Sequence, residues 1–130
     1  LLALVSTVDG VVEVDLETED VSPGAGEVQS QRIETGLPRT ICAAGAGSTV
    51  VAVVDSRPPL LVSHDAGRTW RESGRGLPPG FAVGVAAEDP DVIVFAARNR
   101  LYVSRDGGRF WHALSVELPD ILALDVELAV

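Results

Sequence analysis

Apolar residues along this chain come in runs of four to seven, rich in valine and bounded by Gly, Pro, Asp and Ser. Runs this short, with β-branched side chains that suit a pleated surface, predict strands joined by turns, with helix nearly absent. The expected strands lie near residues 41–46, 49–55, 60–64 and 70–74, and again near 83–87, 92–97, 100–104 and 111–116. At the C-terminal end Leu122, Leu124, Val126, Leu128 and Val130 alternate with Ala123, Asp125, Glu127 and Ala129, the period of a half-buried strand rather than a helix.

The two sets of four strands are copies of one unit. The segment from Leu60 to Trp70 recurs from Leu101 to Trp111 at an offset of 41 residues without a gap. The same offset superimposes Val51 on Val92, Val53 on Val94, Arg57 on Arg98 and Leu77-Pro78 on Leu118-Pro119. A further step upstream from Ser63 reaches Ser22, in a copy with Gly24 in place of the aspartate and Gln29 in place of the tryptophan. A four-stranded antiparallel unit repeated at this period buries its faces only against its neighbours, which is the pattern of a β-propeller. The expected fold class is therefore all-β, with propeller blades over 1–40, 41–80 and 81–120 and the first strand of a further blade over 121–130. Propellers close with four to eight blades, so the chain is expected either to be an excerpt of a longer protein or to finish its ring with another copy as a homo-oligomer. The absence of methionine favours the excerpt.

The motifs Ser63-His64-Asp65-Ala66-Gly67-Arg68-Thr69-Trp70 and Ser104-Arg105-Asp106-Gly107-Gly108-Arg109-Phe110-Trp111 resemble the Asp-box, or BNR repeat, of pattern Ser-x-Asp-x-Gly-x-Thr-Trp. The first fits at every defined position and the second departs only at Phe110; residues 22–29 form a degenerate third copy. The resemblance implies a hairpin between the third and fourth strands of each blade. The residue types suit that place: Asp65 and Asp106 accept from backbone N–H groups, Gly67 and Gly108 take positive φ, Ser63 and Ser104 tie down the entering strand, and Trp70 and Trp111 anchor the hairpin. Ser63, Asp65, Gly67, Thr69, Trp70, Ser104, Asp106, Gly108 and Trp111 are thus expected to be structural.

Composition narrows the chemistry. The 130 residues carry 19 acidic and 10 basic side chains, a formal charge of −9, which disfavours nucleic acids and anionic lipid surfaces as partners. The longest apolar stretches, 50–54 and 92–97, fall far short of the roughly 20 residues of a membrane span. All ten basic residues are arginine. The single cysteine, Cys42, can make neither an internal disulfide nor a cysteine-based metal site and is expected as a small buried hydrophobe. No metal-ligand spacing, nucleotide loop or Ser-His-Asp arrangement is present, so no metal or cofactor is expected.

In propellers that this chain resembles, ligands bind on the face opposite the Asp-boxes, on loops expected here at 15–19, 56–59 and 97–100 and at 38–40, 78–80 and 119–120. Arg57 and Arg98 occupy the same place in successive units, with Arg100 and Arg39 expected nearby, so their guanidinium groups can converge on a carboxylate or sulfate. The leading expectation is a non-catalytic scaffold that binds a protein or carbohydrate ligand, similar to sortilin-type and photosystem-assembly propellers. The alternative is a sialidase-like glycoside hydrolase with catalytic residues partly outside this segment. The one tyrosine, Tyr102, is placed as a packing residue, while Glu17, Glu19 and Asp120 lie on suitable loops for an acid and base pair. An extracellular or cell-envelope location follows from the resemblance alone.

Overall fold

The structure, a computed structural model, describes residues 1–29 and 31–128. Among the described residues there are twelve strands: β1 (Leu2–Thr7), β2 (Gly10–Asp15), β3 (Val21–Pro23), β4 (Thr40–Ala46), β5 (Thr49–Val54), β6 (Leu60–Ser63), β7 (Arg71–Ser73), β8 (Gly80–Val85), β9 (Ile93–Ala97), β10 (Arg100–Ser104), β11 (His112–Ala113) and β12 (Ile121–Glu127). They form three four-stranded antiparallel sheets, ordered β12-β1-β2-β3, β4-β5-β6-β7 and β8-β9-β10-β11. These are called the first, second and third blades. Strand β8 starts three residues before its expected position and β11 is only two residues long, with the ladder ending after the Tyr102 and Ala113 pair.

The C-terminal strand lies elsewhere than expected. β12 opens no separate sheet; it pairs with β1 from Leu2 opposite Glu127 to Thr7 opposite Ile121, and so supplies the innermost strand of the first blade. The residues Ala129 and Val130 of the expected strand lie outside the described residues. This pairing also shifts the roles of the N-terminal strands. β3 becomes the outermost strand of its blade, so the degenerate copy at 22–29 is not a hairpin between third and fourth strands. The segment lacks the means to be one, having neither a carboxylate at Gly24 to bind turn N–H groups nor a ring at Gln29 to anchor it.

The third blade is sandwiched between the other two, and its inner strands β8 and β9 are accordingly buried on both faces. Because successive side chains of a strand point to opposite faces, β9 feeds two cores. Val94 and Ala96 join Val5, Val14, Leu124 and Val126 of the first blade, while Ile93, Phe95 and Ala97 join Val51, Val53, Leu60 and Val62 of the second. This is why 92–97 reads as a continuous apolar run instead of an alternating one. Gly84 lets β8 lie close to β12, since a Cβ there would press on Leu124 and Val126. The Leu-Pro steps place Leu37, Leu77 and Leu118 against three different hydrophobic clusters.

Each inner strand carries a bulge near its start. The pairing shifts between Thr40 and Cys42, between Gly80 and Ala82, and opposite the Ser6/Thr7 step, where Ala123 and Ile121 are the partners. The extra residues, Ile41, Phe81 and Leu122, are large, apolar and exposed. Cys42, next to one bulge, is half-buried, donates from Sγ to the Phe81 carbonyl at 3.2 Å, and has its thiol pushed up to about 11 by burial.

Candidate functional site

The two Ser-x-Asp-x-Gly turns share one hydrogen-bond scheme. Ser63 Oγ donates to Asp65 Oδ1 at 2.7 Å and accepts from the Gly67 N–H at 2.8 Å. Asp65 Oδ1 accepts from the Arg68 and Thr69 N–H groups at 3.1 and 2.8 Å, and Oδ2 accepts from the Thr69 hydroxyl at 2.6 Å. In the second turn Ser104 Oγ donates to Asp106 Oδ1 at 2.8 Å and accepts from Gly108 N–H at 2.9 Å, and the same carboxylate accepts from the N–H groups of Arg109 and Phe110. Phe110 has no hydroxyl to offer in place of that of Thr69, and the residue is 79% exposed. The chain turns through left-handed backbone at Ala66 and Gly67, and at Gly107 and Gly108.

These donors hold both carboxyls below the ordinary value of 3.8: Asp65 first through the Thr69 hydroxyl and N–H, and Asp106 first through the Phe110 N–H and then the Ser104 hydroxyl. A carboxylate with a lowered native pKa stabilises the fold above its unfolded pKa and loses that contribution as pH falls through the native value. Stability is therefore expected to be flat near neutral pH and to decline from about 3.8 downwards. Replacing both residues (Asp65→Asn with Asp106→Asn) should lower the melting temperature at neutral pH and flatten the acid limb. Urea unfolding across a pH series checks this; an unchanged acid limb would contradict it.

The second turn also joins two blades. His64 Nε2 lies 3.2 Å from the Gly107 carbonyl, Ser73 Oγ donates to the Gly108 carbonyl, and Trp111 Nε1 donates to Ser73 Oγ at 3.0 Å. The Trp111 ring meets Phe95 edge-on at 6.4 Å. Trp70, its repeat counterpart, packs half-buried on the cluster of Ala43, Ala52 and Val54 together with Ile33 and Leu37. No sequence signal marks Ser73 or His64 for this role. The repeat places Leu114 at the position of Ser73 and Arg105 at that of His64, so neither showed as a recurring residue.

The loop at 15–19 lies on this side of the molecule, not on the opposite face where it was expected, because it joins β2 to β3, the outer two strands of the first blade. Asp15 Oδ1 accepts from the Glu17 and Thr18 N–H groups. Glu19 accepts from Ser115 N–H at 2.7 Å and the Ser115 hydroxyl at 3.0 Å, and lies 3.8 Å from His112 Nε2. These bonds hold the Asp15 and Glu19 carboxyls below their ordinary values. Asp120 lies elsewhere, beside Arg98, so Glu19 and Asp120 form no acid and base pair. The ring of Tyr102 packs 6.1 Å from that of Phe95.

On the opposite face the four arginines singled out from the sequence have different surroundings. Arg98 Nε reaches Asp120 at 3.4 Å and Arg100 Nη2 reaches Glu117 at 2.8 Å. The Arg39 carbonyl accepts from Asp55 N–H, at a residue with φ of 60°. Arg57 instead lines a cleft of about 730 Å³ with Pro58, Glu72, Arg75, Gly76, Leu77, Pro78 and Pro79. Among the described residues neither Arg57 nor Arg75 has an ion-pair partner. Arg75 is the added cation, missed because the repeat puts Val116 at its position. No cluster of three metal-ligating side chains occurs among the described residues, and no helix is long and apolar enough to cross a membrane.

The three sheets, each with its inner strand against that of a neighbour, match a solved structure: that of a GH74 enzyme from Niastella koreensis, at a TM-score of 0.50 and 18% identity. The fold is that of β-propeller blades. The match covers 92% of this chain and 19% of that one, so the chain spans about a fifth of its structural neighbour. Neither a family model nor a curated protein matches the sequence.

Proposed function

We propose that this chain is a non-catalytic Asp-box propeller segment that binds a ligand carrying a carboxylate or sulfate. The Arg57 and Arg75 cleft carries this reading. It is concave, walled by Pro58, Leu77, Pro78 and Pro79, and holds two guanidinium groups with no ion-pair partner among the described residues. Planar guanidinium forks suit oxyanions of this geometry, and Glu72 in the same cleft can accept from a sugar hydroxyl or a peptide N–H. An acidic oligosaccharide or an acidic protein segment is the ligand class, in an extracellular or envelope setting. The Asp-box assignment is supported by the shared scheme of the turns at 63–70 and 104–111.

A second reading, a sialidase-like glycoside hydrolase with catalytic groups partly outside these residues, draws on the GH74 enzyme as a fold neighbour. Titration calorimetry with carboxylated and sulfated oligosaccharides, together with a fluorogenic glycoside screen run on the chain within its complete propeller ring, separates the two. The binding reading expects affinity without turnover, reduced at least about tenfold by Arg57→Ala or Arg75→Ala, in line with the loss of one charge-assisted hydrogen bond. Turnover abolished by the same substitutions would support the hydrolase instead, and no binding by any anionic ligand would reject the cleft.

A further inference from the structure

We propose that the turn-bearing face of the second and third blades is a binding groove for a short oligosaccharide carrying one acidic sugar. The groove is separate from the Arg57 cleft: that cleft opens at the loop between β5 and β6, and the groove opens at the other end of β6. It consists of two depressions, of about 300 and 590 Å³, that meet at His64 and Arg71. Trp70 lines the smaller one on the second blade, and Arg109 and Phe110 line the larger one on the third. The floor between the blades is tied down. His64 is bonded at both ring nitrogens, to the Thr49 hydroxyl at 3.3 Å and the Gly107 carbonyl at 3.2 Å, and the Gly107 N–H donates to the Asp91 carbonyl at 3.0 Å. A groove held in this way is largely formed before a ligand arrives.

Phe110 is the residue that points to a ligand. In the second blade its counterpart Thr69 closes the turn with a hydroxyl on Asp65, whereas the third blade gives up that bond for an exposed residue that belongs to none of the hydrophobic clusters. A turn that departs from its own repeat at a cost in local bonding, with no gain in the core, marks a place where function rather than stability sets the residue. Beside it the cations outnumber the carboxylates. Arg71 and Arg109 have no ion-pair partner among the described residues, and neither has Arg105, whose guanidinium donates to the Leu16 carbonyl. The Asp106 carboxylate is committed to the turn, accepting from Ser104, Arg109 and Phe110. Asp91 lines the larger depression with side-chain oxygens that accept no hydrogen bond among the described residues.

These groups suit a sugar. Trp70 and Phe110 offer aromatic surface on which the C–H face of a pyranose packs. A guanidinium fork suits one carboxylate, and the Asp91 carboxylate accepts from a hydroxyl while repelling a second acidic group. Arg71 is shared by both depressions and each holds one ring, so the order that fits is neutral sugar, acidic sugar, neutral sugar. A single carboxylate is also what a chain of formal charge −9 accepts better than a polyanion. An acidic peptide would bring the carboxylate but neither the C–H faces nor the row of hydroxyls.

Calorimetry on the chain within its complete propeller ring tests this, in a background of Arg57→Ala with Arg75→Ala that silences the other cleft. The probe is a trisaccharide with a central glucuronic acid. Binding is expected to persist in that background, to fall about tenfold or more with Arg71→Ala, Arg109→Ala or Phe110→Thr, and to survive Phe110→Trp. Phe110→Thr supplies the hydroxyl that Thr69 has, so its melting temperature is expected to equal or exceed that of the parent, which separates lost affinity from lost folding. Binding that disappears with the background substitutions belongs to the Arg57 cleft and overturns this proposal while leaving that reading intact. Equal affinity for the same trisaccharide with its carboxyl reduced to the alcohol, or for a capped glutamate peptide, overturns the ligand class, and no binding in the background overturns the groove.

Discussion

Truncating Phe95 to alanine is expected to destabilise the chain by about 3–5 kcal/mol, a large part of the roughly 5–15 kcal/mol that ordinarily separates folded from unfolded domains. Phe95 is fully buried on β9 and lies in the cluster that joins the second and third blades, with Tyr102 and Trp111 against its ring. Removing it leaves a cavity where the two blades meet, and Trp111, which also donates to Ser73 across that boundary, loses its edge contact. Urea unfolding gives the magnitude, and the near-ultraviolet signal of the tryptophans reports whether the interface loosens. A loss below about 1 kcal/mol would mean that the blades are not held by this cluster.

Gly80→Ala should be at least as damaging, although it adds a single methyl group. Gly80 is the first residue of β8, pairs with Ala97, and is buried beneath the Phe95 ring. A Cβ there would collide with both the ring and the Ala96 carbonyl, and the backbone of β9 cannot withdraw without breaking its ladder. Overpacking of this kind ordinarily costs about 1–3 kcal/mol, and more where backbone is the obstacle. Loss of the cooperative unfolding transition is the expected result. Adding Phe95→Leu should restore part of the loss, because the ring is one of the two obstacles. Strict additivity of the two substitutions would show that they do not touch.

Much of the architecture was legible because strands are local objects. The valine-rich runs at 49–54 and 60–63 and their copies one period later became β5, β6, β9 and β10, and the Ser63 and Asp65 turn formed because its donors and acceptors lie within a few residues of each other. The unbroken apolar run at 92–97 was legible as a strand, and its burial between two blades became visible only in the packing. The candidate cleft was half legible: Arg57 stood out by its repetition as Arg98, yet only Arg57 lines the cleft, with a cation that does not recur.

By itself, then, the sequence determined the all-β class, the repeating four-stranded unit and the chemistry of the two turns, since all three follow from periodicity and from residues near one another in the chain. Only the tertiary structure decided that β12 joins β1, that the loop at 15–19 shares a side with the turns, and that Ser73 ties Trp111 to a neighbouring blade. These depend on which faces remain to be buried once the strands exist. That is a competition between segments far apart in the chain, and no local pattern of side chains encodes its outcome.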